Sequence, residues 1–318
     1  MKTGIISCAA VLVLSFLSGC QQRVEVALKF QPEGESSYRA VTESGKDYSF
    51  VELSKNKNTE NHTLARAEVA FAQKTESIDK DGVAVLNITV TELKYLSSGL
   101  KGTIMDFDSS REKDKSEPLA GLIGQSYKIK ITPCGRVEVV DAKAIQSAVK
   151  GGSASKLAQR LFGDDEIQKR HSVLALIDAG KDLHSKGDSW STLAASPPGM
   201  LQAKSYEKQY MLQNVKTKGY QQIAVITMNA VPSSKRAPDM PSDSKDMGLF
   251  AKMFENSDTY NGELVLNLST GQIIHYQETL KAEWVAAESP EEQKSDKGPD
   301  TLAMGFTHLY SIEKIDDK

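Results

Sequence analysis

The sequence predicts a mainly β, α+β fold: one large antiparallel sheet, an open half-barrel in one version, packed with a short helical pair. Three observations carry this reading. Long stretches alternate apolar and polar residues with a period of two. Short turns rich in Gly, Pro and Asp separate those stretches. A single segment in the middle of the chain changes to helical spacing.

Val24, Val26, Leu28 and Phe30 alternate with Glu25, Ala27 and Lys29, which predicts a first strand ending at the Pro32-Glu33-Gly34 turn. Residues 37–53, 63–78 and 83–96 read as further strands, with Asp79-Lys80-Asp81-Gly82 as a hairpin turn and Leu86, Ile88 and Val90 on an inner face. Tyr127, Ile129 and Ile131 lead through Pro133-Cys134-Gly135 into Val137 and Val139. Ser153 or Ser155 is expected to cap a turn carrying Leu157 and Leu161. Asp164 or Asp165 is expected to cap a second helix through Ile167, His171, Leu174 and Ile177, stopping at Gly180. Strands resume at 206–217, 219–230, 260–269 and 272–286, turning at Lys218-Gly219 and Ser269-Thr270-Gly271. Met304, Phe306, His308, Tyr310 and Ile312 form a closing strand. Stretches 109–118, 232–246 and 289–300 are rich in Ser, Pro, Lys and acids, and are expected to be solvated, mobile loops within one domain spanning residues 20–318.

The N-terminus speaks to location. Lys2 precedes a mostly apolar run of 13 residues, Ile5 to Leu17. A membrane-spanning helix needs about 20, so the run has the length of a signal-peptide core. Leu17-Ser18-Gly19-Cys20 resembles the bacterial lipobox. That resemblance implies a signal peptide over residues 1–19, cleavage between Gly19 and Cys20, and a diacylglyceryl group on the Cys20 thiol, usually with a further acyl chain on the new amine. The alternative is an ordinary secretory signal with an incidental cysteine. Several acyl chains, at about 0.8 kcal/mol per buried methylene, would hold the body on a membrane. By the same resemblance Gln21, where Asp often signals inner-membrane retention, favours the outer membrane, with the body in the periplasm. Cys134 is then the one remaining thiol, and no intramolecular disulfide can form.

The formal charge of −3 and the interleaving of lysines with acids argue against nucleic acid as a partner. Candidate chemistries are few. Ser153-Ala-Ser-Lys156 has the Ser-x-x-Lys spacing in which lysine could activate serine, but the spacing recurs throughout this Ser/Lys-rich chain. His62, His171, His184, His275 and His308 form no pair at metal-ligand spacing. Asp164-Asp165-Glu166 suits the first turn of a helix better than a metal. Trp190 and Trp284 read as sheet aromatics, and Cys134 as an inert turn thiol. No catalytic residue, metal or cofactor is assigned.

The phrases LKFQPEGESSYR, GQSYKIKITPCGRVEVVD, SKGDSWS and GELVLNLSTGQIIHY resemble a family of bacterial lipoproteins known as domain of unknown function 6263. The resemblance implies a secreted, membrane-anchored, mainly β fold and supplies no catalytic residues. A more distant likeness of architecture is to periplasmic carriers of lipoproteins, half-barrels with helices across the mouth. The expected function is therefore non-catalytic binding of an apolar ligand or an envelope protein. An envelope hydrolase using the Ser-Lys or carboxylate groups, and a structural scaffold subunit, stand as alternatives.

Overall fold

The computed structural model describes residues 23–179, 183–240, 253–289, 291, 293 and 296–315. Gly19 and Cys20, the helix stop at Gly180, and parts of stretches 232–246 and 289–300 lie outside them.

Fourteen strands and four short helices follow one another in the described chain. The first half supplies β1 (Val24–Glu25), β2 (Glu35–Glu52), β3 (Lys57–Ile78), β4 (Ala84–Gly99), β5 (Gly102–Asp108), β6 (Ser126–Ile131) and β7 (Val137–Asp141). Helices α1 (Lys143–Ser147), α2 (Gly152–Phe162), α3 (Asp164–His171) and α4 (Leu174–Ile177) come next. The second half supplies β8 (Leu183–His184), β9 (Ser189–Ala195), β10 (Ser205–Lys218), β11 (Gln221–Ser233), β12 (Glu255–Asn267), β13 (Gln272–Ala287) and β14 (Thr301–Ile315).

Twelve strands make one antiparallel sheet in the order β7-β6-β4-β3-β2-β14-β13-β12-β11-β10-β9, with β5 also on β4. The sheet does not close, and β2 pairs with β14 at its centre. Alternation decides the faces. Tyr38, Ala40, Leu86, Ile88, Val90, Tyr276 and Leu280 point inward and are buried. Outward, Arg39 pairs with Glu68 and Glu313, and Arg66 with Glu43 and Glu68. Such part-exposed pairs contribute little stability each; they mark the solvent side. The lower end carries the turns at 79–83, 132–136 and 268–271, and the upper end those at 53–56 and 99–101.

The helices lie across the inner face and bridge the sheet's two edges. Near one edge, α3 packs on β7 and Val173 N–H donates to Gly135 O at 3.0 Å. At the other edge, Trp190 Nε1 donates to Ala175 O at 2.8 Å and Thr192 Oγ1 to Asp178 Oδ2 at 2.6 Å. Gly135 has φ of +77°, and a Cβ there would lie 2.8 Å from Val173. Only glycine allows both the turn and that approach.

Three expectations are corrected here. The helix read continuously from Asp164 to Ile177 breaks at Ser172 and Val173, because Val173 turns its N–H to Gly135 instead of the preceding turn. Gly151 and Gly163 occupy the N-cap positions; Ser153, Asp164 and Asp165 fall inside the first turns. The alternation at 24–30 yields only a two-residue strand, paired with His184 and Leu183. The remainder is an arm crossing the lower end, where Leu28 N–H reaches Pro133 O at 2.8 Å and Lys29 N–H reaches Gly271 O at 3.3 Å. Ala27 is buried along with Val26 and Leu28, so the alternation does not separate a buried from a solvent face there; Lys29 alone of 26–30 is exposed.

Candidate ligand-binding site

Beneath this arm lies a cavity of about 240 Å³. Leu86, Ile129, Ile131, Ile273 and Ile312 give it an apolar floor, and Leu28 to Gln31 roof it. The roof is held by the two backbone bonds above and by Lys29 Nζ donating to Leu268 O at 2.9 Å. The walls are polar, with Ser36, Gln73, Thr75 and Gln272 among their residues, and two further groups there are notable. Thr270 Oγ1 is buried with no hydrogen-bond partner among the described residues. His171 shares a 2.7 Å hydrogen bond with Tyr127 Oη, and burial, aided by the Arg170 charge, pushes its pKa down to about 3. The imidazole is therefore neutral at any ordinary pH. An apolar floor beneath polar walls, with a neutral ring and one spare hydroxyl, suits a small uncharged molecule with an apolar face or the end of an acyl chain. Its volume falls just under the roughly 300 Å³ at which drug-sized sites begin. Two broader depressions, of about 550 and 630 Å³, lie mainly along the outer face and are shallower and more open.

The opposite wall of the interior holds a polar network that periodicity alone does not reveal. Glu278 of β13 accepts from Lys208 Nζ at 2.6 Å, Tyr260 Oη at 2.7 Å and Tyr276 Oη at 2.6 Å, all buried. Burial pushes the Glu278 carboxyl up, but the Lys208 charge and the three donors outweigh it and hold the pKa below the usual range. Lys208 Nζ also stands 4.8 Å from the Tyr260 ring centroid. Asp258 accepts from Lys204 Nζ at 2.6 Å and Tyr206 Oη at 2.9 Å. Glu278 is opposite Gly262 in the register, and a Cβ on that glycine would meet Gln277 O at 2.5 Å. With its carboxylate satisfied by three donors, the network is a strand-locking device. An alternating strand whose inner positions include Lys208 and Glu278 was the available signal, since charge at a core position demands a partner.

Arg170 is buried without a carboxylate partner among the described residues. Its Nη2 donates to Leu161 O at 2.5 Å, and its guanidinium lies 4.9 Å from the Phe162 ring. A cation at the end of α2 complements the helix dipole there.

The residues singled out from sequence do not converge. Ser153 and Lys156 are both exposed on α2, with no hydrogen bond between them. Asp164 accepts from Gln146 Nε2 at 2.8 Å in the first turn of α3. Among the described residues no group of three His, Cys, Asp or Glu side chains is placed to hold a metal. His62 pairs with Asp47 on the outer face, and His184 bonds Ala179 O at 2.8 Å. Cys134 Sγ is 3.1 Å from Thr132 Oγ1 within its turn. Trp284 is buried in the sheet wall.

The sequence matches the family of unknown function DUF6263 over residues 81–273. The chain belongs to this family. The DUF6263 region thus takes in β4 to β12, with the whole helical segment between β7 and β8. No curated protein matches. Among solved structures, one titled for lipid–protein interactions in lipovitellin is similar at 11% identity and a TM-score of 0.38, covering 91% of this chain. The chain spans 26% of that protein's length. DynF, from the dynemicin biosynthesis pathway of Micromonospora chersina, is similar at 7% identity and a TM-score of 0.17, covering 94% of this chain and 88% of that one. A DUF1329 protein from Desulfovibrio piger ATCC 29098 is similar at 10% identity and a TM-score of 0.16, covering 85% and 84%. At these TM-scores none of the three bears on function. No helix among the described residues is long and apolar enough to cross a membrane.

Proposed function

We propose that this DUF6263 protein is a non-catalytic, lipid-anchored binding protein of the bacterial envelope that holds an apolar ligand in the cavity beneath its arm. The cavity of about 240 Å³, apolar in its floor and roofed by Leu28 to Gln31, carries the reading. Native mass spectrometry of the purified full chain should show a co-purifying apolar adduct. Ile312→Trp, which fills the cavity, should remove it; an adduct-free wild type refutes the proposal. Anchoring through Cys20 is tested separately, since Cys20→Ala should abolish palmitate labelling. A second reading, docking of an envelope protein, is favoured by Leu100 and Ile104, 70% and 75% exposed on the β4–β5 hairpin at the end away from the arm. A photocrosslinker at position 104 in intact envelopes should then give one discrete adduct.

A further inference from the structure

The register of the inner face sets out a second space, separate from the cavity beneath the arm. Tyr95, Ala67, Thr42 and Tyr310 stand in one row across β4, β3, β2 and β14. The two tyrosines are three strand spacings apart, about 14 Å, and both are tied to the helices. Arg160 Nη2 donates to Tyr95 Oη at 2.6 Å, and Tyr310 Oη to Arg170 O at 2.7 Å. Between these pillars only Ala67 and Thr42 rise from the sheet. The next row toward the upper end is Ser97, Ala65, Ser44 and His308. Every one of these floor residues is half-buried, whereas Leu93, Val69, Ala40 and Ile312, one row lower, are buried. The floor is thus a trough of small and hydroxyl-bearing side chains running under the helices, bounded on the β14 side by the buried Phe306 one row higher. Ser44 Oγ and His308 Nδ1, 2.9 Å apart, lie within it.

Its charge is one-sided. Arg160 stands over one pillar, and Lys169 acts electrostatically on His308. Lys46, on the inner face of β2 two rows above Thr42, lies beside Phe306 and Gly199. None of the three makes an ion pair among the described residues. Of the acids facing this space, Glu278 is held by Lys208 and two tyrosines, leaving Glu166 near Tyr310. The cations are spread over two residue pairs along the strands, about 14 Å, and two strand spacings across them, about 10 Å, and a low-dielectric wall strengthens their field.

We propose that this trough binds an anionic saccharide, a short glycan bearing carboxylate or phosphate groups, with Lys46 and Arg160 on its charges and the Thr42, Ser44 and Ser97 hydroxyls on its sugar hydroxyls. An acyl chain would leave the Thr42 and Ser97 hydroxyls without a partner from the ligand, and inorganic phosphate would span only one cation.

The test titrates the purified full chain with tri-galacturonate, maltotriose and inorganic phosphate by calorimetry. Tri-galacturonate should bind at least tenfold more tightly than either of the others. Lys46→Gln with Arg160→Gln, both at exposed side chains, should weaken it about tenfold, while Lys80→Gln in the β3–β4 turn leaves it unchanged. Ala65→Trp, which fills the floor without altering charge, should abolish it. Equal binding of the three probes, or full binding by Ala65→Trp with its native melting transition retained, would overturn the assignment. Neither result touches the apolar cavity, whose adduct is read independently.

Discussion

The Lys208–Glu278 pair makes a quantitative prediction about how the second half of the sheet is held. In Lys208→Met, the Glu278 carboxylate keeps Tyr260 and Tyr276 as donors but loses its counter-charge at 2.6 Å. Breaking a buried pair on one side costs about 3–5 kcal/mol, because the remaining charge stays desolvated. Glu278→Leu strands the ammonium and also leaves two tyrosine hydroxyls unsatisfied, at roughly 1–3 kcal/mol each, so it should be the worse of the two. The double variant removes both charges and keeps only the hydroxyl penalty. It should be more stable than Glu278→Leu, with a coupling of at least about 3 kcal/mol, since both stranded-charge penalties vanish together. Urea unfolding of all four proteins at pH 7 measures this directly. Additive effects, with coupling under about 0.5 kcal/mol, would mean that the two groups are solvated and that the network does not lock the strands.

Two further outcomes are expected. Gly271 has φ of +68°, and a Cβ there would lie 2.0 Å from Lys29 N, so Gly271→Ala must both strain the turn and push the arm away. It should lower stability by about 1–2 kcal/mol or more and raise hydrogen exchange across Val26 to Lys29; unchanged protection there would show that the arm does not depend on the turn. The second concerns acid. His171 and His308 are held by burial at pKa values of about 3 and about 4, a shift the Arg170 charge reinforces at His171. The unfolded chain, with histidines near 6.5, therefore takes up protons first. Stability should be level between about pH 7 and 9 and fall below about 6.5, by up to roughly 1.4 kcal/mol per pH unit for each histidine. His171→Gln should flatten that slope by half, and an unaltered slope would place the proton uptake elsewhere.

The strands were legible because long antiparallel strands with one buried face leave a period-two trace. Leu86, Ile88 and Val90 did so, and all are buried. Legibility failed where a segment is covered from several sides or governed by a distant contact. The arm alternates in sequence yet buries Val26, Ala27 and Leu28 in succession, because turns from both halves of the sheet close on it. The α3–α4 break is set by Gly135, nearly forty residues earlier in the chain, and no local propensity encodes that. Of the cavity, the sequence showed the apolar floor as alternating strand positions and the flanking turns at Gly135 and Gly271. It could not show that the strands curve or that the N-terminal segment roofs the space they enclose.

The β2–β14 pairing has a consequence for biogenesis. The sheet grows as two local meanders, but the central ladder joins β2, an early strand, to β14, the last strand of the described residues. Until β14 is available, β2 presents an unpaired edge and the inner face stays uncovered on that side. Long-range pairing of this kind is slow to form, so the complete body cannot assemble on a partly synthesised chain.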